Sequence, residues 1–422
     1  MNFIVIAIFI IGYLAIIFEN KIKVDKAAAS LITGVLCWLT YFYHGSSILD
    51  SEKQLMNHFG DISAILFFLL GAMTIVEVID SHNGFDIITN LIQTRSKSKL
   101  LIIITLITFF LSAVLDNLTT AIVMTSLCSK LLDERNDKLW FVSMVIIASN
   151  AGGSWSPLGD VTTTMLWIGG QITPLNIILK TFLPSVVVAL VPLVILSFRF
   201  KGQKINLSEM NTIKHSSESN IILFTGIGLL LFVPLFKTIT HLPPFMGMLL
   251  ALGIIWVVSS FIHLSKQLDE RRKFSVSQAL QRIDTSSILF FLGILLSVAA
   301  LQSFNILEQL ADFTITHIKN QYIIGTLLGA FSALIDNVPL VAATQSMFSL
   351  SIFPTDHSFW ELIALTTGTG GSILIFGSAA GVAVMGLEKI NFFWYLKNIS
   401  WLAVIGYVSG ILMYIFQQWI LI

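Results

Sequence analysis

The chain has 422 residues, of which 55% are hydrophobic and only 11% charged, and its mean hydropathy is +0.86. Soluble domains carry roughly 25% charged residues, so a water-soluble globular protein is excluded and an all-α polytopic membrane protein is expected. The formal net charge is zero, and the basic residues hug the ends of apolar runs without forming a continuous patch, which excludes a nucleic-acid-binding surface.

The N-terminal run to Phe18 has no basic leader and no small-residue cleavage motif, so it reads as a retained first span. Apolar runs at Ala27–Phe42 and Ile62–Ile79 supply two more. The roughly 30 residues between Lys99 and Lys130 are flanked by basic residues on both sides, whereas two full crossings need about 40. A re-entrant hairpin over about 100–129 is expected there, with Asp116-Asn117 at its tip. A span over about 139–170 follows and is interrupted at Ser149–Thr164. Pro157 there removes a helical N–H, and Gly152, Gly153 and Gly159 permit an unwound path. Leu175–Phe198 closes the first half, and the polar stretch Lys201–Ser219 reads as a cytoplasmic linker.

The second half offers spans at Ile221–Phe236 and Met246–Ile262, then a loop, Ser265–Asp284, carrying a short interfacial helix. Ile288–Leu301 precedes a second hairpin over about 321–353, with Asp336-Asn337 at its centre. An interrupted span over about 359–387, broken at Thr366–Ser378, and a last span at Ile399–Phe416 complete the chain.

Three motifs recur in order, about 220 residues on, which marks an internal duplication. Asp61-Ile62-Ser63-Ala64-Ile65-Leu66-Phe67-Phe68-Leu69 returns as Asp284-Thr285-Ser286-Ser287-Ile288-Leu289-Phe290-Phe291-Leu292, identical at seven of nine positions. Asp116-Asn117 returns as Asp336-Asn337, and Gly152-Gly153-Ser154 as Gly370-Gly371-Ser372. The expected repeats are 1–200 and 220–422, each with five transmembrane helices, one of them interrupted, and a re-entrant hairpin. An odd number of crossings makes the second repeat inverted, as in many secondary transporters. Placing both termini outside leaves only Lys53, Lys180, Lys237 and Lys319 of the 24 basic residues outside, which satisfies the positive-inside rule.

The hairpin tips and helix breaks gather hard oxygen ligands at membrane depth. Such irregular backbone exposes carbonyls that suit Na⁺, and a desolvated carboxylate can take a proton when the cation leaves. Asp116, Asp160 and Asp336 are the expected buried acids for proton and ion coupling, since inserting a charge costs about 2.5–3.5 kcal/mol even on permissive scales. Na⁺ ligands are expected from Asp116, Asn117, Asn150, Ser154, Asp160, Thr162 and Thr163, with Asn337, Thr369 and Ser372 from the second half. The halves are not equivalent: Asn150 aligns with Gly368, and Asp160 with Ser378.

Other polar residues carry blander expectations. Glu77 and Glu388 sit near cytoplasmic span ends, where snorkelling or a loop salt bridge accounts for them. His44, His58, His82, His215, His241, His263, His317 and His357 are read as surface residues, none at transition-metal spacing. Cys37 and Cys128 are small packing residues. No Arg or Lys is expected at membrane depth.

The runs Asp116-Asn117-Leu118-Thr119-Thr120 and Ser149-Asn150-Ala151-Gly152-Gly153-Ser154-Trp155-Ser156-Pro157-Leu158-Gly159-Asp160-Val161-Thr162-Thr163-Thr164-Met165-Leu166-Trp167 resemble the NhaD-type sodium/proton antiporters. Asp336-Asn337-Val338-Pro339 also follows that pattern. The resemblance covers nearly the whole chain. It implies export of Na⁺, often also Li⁺, driven by proton entry across a cell inner membrane, with no organic cofactor. The wider ion-transporter superfamily implies a homodimer in which hairpins and broken helices move against a scaffold. A carboxylate or arsenite carrier of that superfamily is the alternative, but two acidic hairpin tips repel anions. An intramembrane aspartyl protease is a remoter one: Pro157-Leu158-Gly159-Asp160 only partly matches its Gly-x-Gly-Asp motif, and Leu115 stands where its second motif needs Tyr.

Overall fold

The computed structural model describes residues 2–44, 48–85, 94–204, 217–264, 274–334 and 336–421. Among these every element is a helix, apart from a lone antiparallel bridge between Ser96 and Lys204. The first half runs α1 (Asn2–Ile17), α2 (Glu19–Ile22), α3 (Lys26–His44), α4 (Ile48–Ser81), α5 (Lys97–Ser112), α6 (Asn117–Leu131), α7 (Arg135–Gly153), α8 (Val161–Ile168) and α9 (Pro174–Arg199). The second runs α10 (Ser217–Thr240), α11 (Pro244–Ile262), α12 (Val276–Arg282), α13 (Thr285–Ser303), α14 (Ile306–Ile318), α15 (Gln321–Phe331), α16 (Asn337–Met347), α17 (Ser358–Gly370), α18 (Ala379–Glu388), α19 (Phe392–Asn398) and α20 (Ser400–Leu421).

Six of these helices, α4, α9, α10, α11, α13 and α20, are long and apolar enough to cross a bilayer, and α1 is apolar but shorter. Large side chains such as Phe198 and Phe224 stay exposed on their outer faces, as lipid-facing residues do. Pro184 and Pro192 lie inside α9 and Pro234 inside α10, which membrane helices tolerate when neighbours satisfy the freed carbonyls.

The element order repeats. A two-helix hairpin, α5–α6, precedes a helix pair separated by a break, α7 and α8; the same succession recurs as α15–α16, then α17 and α18. Packing repeats as well. α3 lies along α13 and α4 along α11; α5 packs on α7 and α15 on α17; α6 meets α18 and α16 meets α8. Close backbone approach requires the repeated glycines. A Cβ on Gly152 would sit 2.2 Å from the Phe109 carbonyl oxygen, and one on Gly370 would sit 2.0 Å from that of Gly329. Ser112 Oγ donates to the Ser149 carbonyl (2.6 Å), and Ser332 Oγ donates to that of Thr367 (2.7 Å). Each hairpin is therefore latched to its own broken helix by one serine.

Among the described residues three apolar clusters result, the smallest around Phe109, Val188 and Leu362. The largest joins α3, α4, α11, α13 and α16 through residues such as Phe68, Ile75, Met248, Phe290 and Val341. The second, with Leu100, Met124, Phe141 and Tyr395, holds α5, α6, α7 and α19.

Several expectations need correction. The helix that includes Ile62–Ile79 begins at Ile48, and α14 and α19 are helices in stretches for which no element was expected. α14 mixes apolar and polar residues, with Leu307 and Ala311 buried and Glu308 and Asp312 exposed, so it lacks a continuous apolar run. His82 and His263 are not surface residues: their Nε2 atoms lie 2.7 Å apart, the rings stack, and Phe274 covers both. Packing of α4 on α11 brings these two helix ends together, which a single-span reading cannot foresee. As expected, Glu77 forms a loop salt bridge, with Arg282 (3.7 Å), while Glu388 accepts from Ser129. Cys37 and Cys128 are buried free thiols. His215, most of the linker (205–216) and the basic part of the second loop (265–273) lie outside the described residues, as does the side chain of His44.

Candidate functional site

Both hairpins end in a short turn, and the residue before the second helix is an aspartate. Asp116 caps α6, accepting from Thr119 N (2.8 Å) and Thr119 Oγ1 (2.6 Å). This satisfies orphan donors at a helix N-terminus and aims the next residue, Asn117, into the protein. Asn117 Nδ2 donates to Asn150 Oδ1 (3.0 Å) and to Asp160 Oδ2 (2.8 Å).

Asn150 and Asp160 come from the two sides of the first helix break. Asp160 caps α8 through Oδ1, which accepts from Thr162 N (2.9 Å), leaving Oδ2 for the Asn117 amide. Asn150 stretches across the protein: its Nδ2 donates to Ser372 Oγ (2.9 Å) and Ser378 Oγ (2.9 Å) at the second break. The cluster therefore spans three units: a hairpin tip and both helix breaks. It is closed to solvent, with Asn150 fully buried, Asp160 2% exposed and Asn117 4% exposed. Gly368 completes its wall, because a Cβ there would lie 2.5 Å from Ser154 Oγ and 3.5 Å from Asp160 Oδ2.

The remaining expected ligands fall in different places. Ser154 Oγ donates back to the Asn150 carbonyl (2.7 Å), and Thr163 Oγ1 to that of Asp160 (2.8 Å), so both brace the break. Thr162 Oγ1 is buried without a well-formed hydrogen bond. Thr369 Oγ1 donates to Leu365 O (2.6 Å) within its own helix and has no bond to the cluster. Asn337 is paired with Ser332, and with its amide nitrogen turned inward it donates to Thr367 O (3.1 Å) and Gly377 O (3.2 Å). It thus serves the second break, while its counterpart Asn117 serves the cluster.

Asp116 and Asp336 stand outside the hydrogen-bonded cluster. Asp116 borders a cavity of about 50 Å³ whose wall is otherwise largely apolar, including Phe68, Leu230, Met248 and Phe291. Asp336 borders a separate cavity of about 90 Å³ together with Tyr13, Glu19 and Lys26. A lysine therefore shares a cavity with one of the acidic tips. Lys26 opens α3, and the packing of α3 on α13 turns that end towards the second hairpin.

Sequence reasoning also understated two other groups. Ser378 is a partner of Asn150, signalled only by its alignment with Asp160. Glu361 and Asp137 are further buried acids, at 2% and 6% exposure. Glu361 accepts from Asn176 (2.6 Å), Tyr414 (2.6 Å) and Gln418 (2.8 Å), tying α17 to α9 and α20, and Asp137 pairs with Lys97. These are satisfied structural groups away from the cluster.

Comparison with known proteins finds transporters. The family described as Citrate transporter matches residues 6–370. The chain is 46% identical over 414 residues to Sodium/proton antiporter 1 of Arabidopsis thaliana, covering 97% of this chain and 71% of that protein. Sodium/proton antiporter 2 of the same plant is 44% identical, over 97% of this chain and 98% of its own. The Na(+)/H(+) antiporter NhaD of Alkalimonas amylolytica is 30% identical, over 97% and 89%. These relatives are named as transporters rather than enzymes, which removes the protease alternative. With near-complete coverage at these identities, the chain belongs to the NhaD-type sodium/proton antiporter family.

Proposed function

We propose that the protein exchanges Na⁺, and Li⁺ as well, for protons across a cell inner membrane at the Asn117–Asn150–Asp160 cluster. The observation that carries this reading is the convergence of Asn150 Oδ1 and Asp160 Oδ2 on a single donor, Asn117 Nδ2. A cation at the position of that donor meets the same two oxygens, and rotation of the Asn117 amide adds a third. Thr162 Oγ1, lacking a well-formed bond, is a further oxygen beside the carboxylate. The carboxylate holds either Na⁺ or a proton, and that competition is what couples the two fluxes.

The two halves form inverted repeats in this reading. The exchanged pairing of α3 with α13 and α4 with α11, and the paired serine latches, support an internal two-fold relation. Both termini lie outside and both hairpins re-enter. The cavity beside Asp116 is walled by Val76 and Ser287, and that beside Asp336 by Glu19 and Lys26, all near helix ends assigned to the cytoplasm. Both acidic tips then face inward.

Everted vesicles with a pH-sensitive dye test the reading. Once a proton gradient is established, Na⁺ or Li⁺ should dissipate it. Absence of a Na⁺ response combined with Na⁺-driven citrate uptake would instead favour the organic-anion carrier.

A further inference from the structure

The two hairpin tips are built alike but finished differently. At the first, Thr119 supplies both an N–H and a hydroxyl to the Asp116 carboxylate. The equivalent position in the second hairpin is Pro339, which has neither. Asp336 accordingly makes no side-chain cap on α16. Its carboxylate borders the 90 Å³ cavity instead, which has room for several waters.

The lining of that cavity also carries Lys26, whose ammonium lies 4.8 Å from the centre of the Phe290 ring. That aromatic face steers the cation. The backbone of Lys26 is fixed as well, its N–H donating to Glu19 Oε1 (3.3 Å). Tyr13 completes the polar lining, so the titratable groups are Tyr13, Glu19, Lys26 and Asp336. The cavity beside Asp116 differs: among the described residues, its wall holds no Lys or Arg.

We propose that Lys26 is the resident counter-cation of Asp336, filling at the second hairpin tip the electrostatic role that a transported cation fills in the first half. The inference rests on the antiport reading and deepens it. One half of the duplication exchanges mobile cations. The other half carries its own, so its carboxylate is compensated throughout the cycle without drawing a second Na⁺. Lys26 is a positioning residue acting through Asp336, and it contributes nothing to the Asn117–Asn150–Asp160 cluster directly.

The test is a double-mutant cycle between Lys26→Met and Asp336→Asn, with Lys26→Arg as the charge-retaining control. Na⁺ activation of exchange is measured in proteoliposomes, and thermal unfolding in detergent. Lys26→Met should raise the Na⁺ half-saturation concentration about tenfold, the effect of a coupling near the middle of the range for interacting groups. Its activation curve should also steepen, because Asp336 then takes a second Na⁺. Lys26→Arg should match the unmodified protein, and the double variant should lose the steepening and recover thermal stability relative to Lys26→Met. Unchanged Na⁺ activation in Lys26→Met, or strictly additive effects in the cycle, would overturn the pairing. If Lys26→Met does not accumulate, recovery of the double variant supports the pairing and its absence refutes it. Should the unmodified protein show no Na⁺/H⁺ exchange, the antiport reading fails, while the unfolding cycle still decides the pairing.

Discussion

Asn117 and Asp160 belong to different units, a hairpin turn and a helix break, yet Asn117 Nδ2 lies 2.8 Å from Asp160 Oδ2. The same nitrogen reaches Asn150, whose own amide reaches the second break. One uncharged side chain therefore joins the carboxylate to the rest of the cluster.

Removing that junction should cost affinity before it costs folding. Asn117→Ala removes the amide oxygen that turns onto the cation, one of three expected ligands, a loss of about 1–3 kcal/mol in cation binding. Na⁺ half-saturation should rise by about an order of magnitude or more, with the protein still present in the membrane. Unchanged Na⁺ activation would take Asn117 out of the site.

Asp160 carries the exchange in this scheme. Asp160→Asn retains the shape and one oxygen but can neither release a proton nor neutralise a cation. It should insert normally and lose Na⁺-dependent proton movement at every pH tested. Asp160→Glu should keep partial exchange with an altered pH profile. Normal exchange by the Asn variant would pass the proton to Asp116 or Asp336.

Two glycine substitutions separate fold from function. Gly152→Ala drives a methyl to 2.2 Å from the Phe109 carbonyl oxygen, a backbone atom that cannot step aside. Thermal unfolding should show a loss of about 1–3 kcal/mol or more. Gly368→Ala meets the Ser154 hydroxyl at 2.5 Å, and that side chain can rotate. Its melting temperature should change less than that of Gly152→Ala, while its Na⁺ activation should weaken because the methyl crowds Asp160.

The Lys97–Asp137 pair fastens the start of the first hairpin to α7, with side chains only 11% and 8% exposed. Lys97→Met strands a buried carboxylate and should cost about 3–5 kcal/mol in thermal unfolding. Adding Asp137→Leu should restore most of that loss. A Lys97→Met variant as stable as its parent would show the pair to be solvated.

Membrane sidedness decides the repeat scheme. Cysteines placed at Lys99 and Lys130, with Cys37 and Cys128 replaced, should react with an impermeant reagent from the cytoplasmic face alone. Reaction from opposite faces would make the α5–α6 segment a crossing and end the inverted arrangement.

The fold was legible where a local property decides it. The turn before Asn117 lies in a segment too short for two crossings, and residues 154–160 are non-helical where Pro157 and three glycines weaken a helix. α14 escaped because Glu308, Gln309 and Asp312 interrupt its apolar residues. The burial of His82 against His263 escaped because it depends on which helix end lands beside which.

The sequence by itself determined a helical, polytopic membrane chain whose motifs recur and whose irregular points carry acidic residues and oxygen-bearing side chains, because hydropathy, charge flanks and motif recurrence are local. Tertiary structure decided how those ligands divide. It joins Asn117 to Asp160, sends Asn150 to Ser372 and Ser378, and confines Asn337 to its own break. It also sets Lys26 and Asp336, one at the start of α3 and the other in the far half of the chain, around one cavity. Distances between residues hundreds of positions apart follow from helix packing, and no periodicity or motif along the chain encodes them.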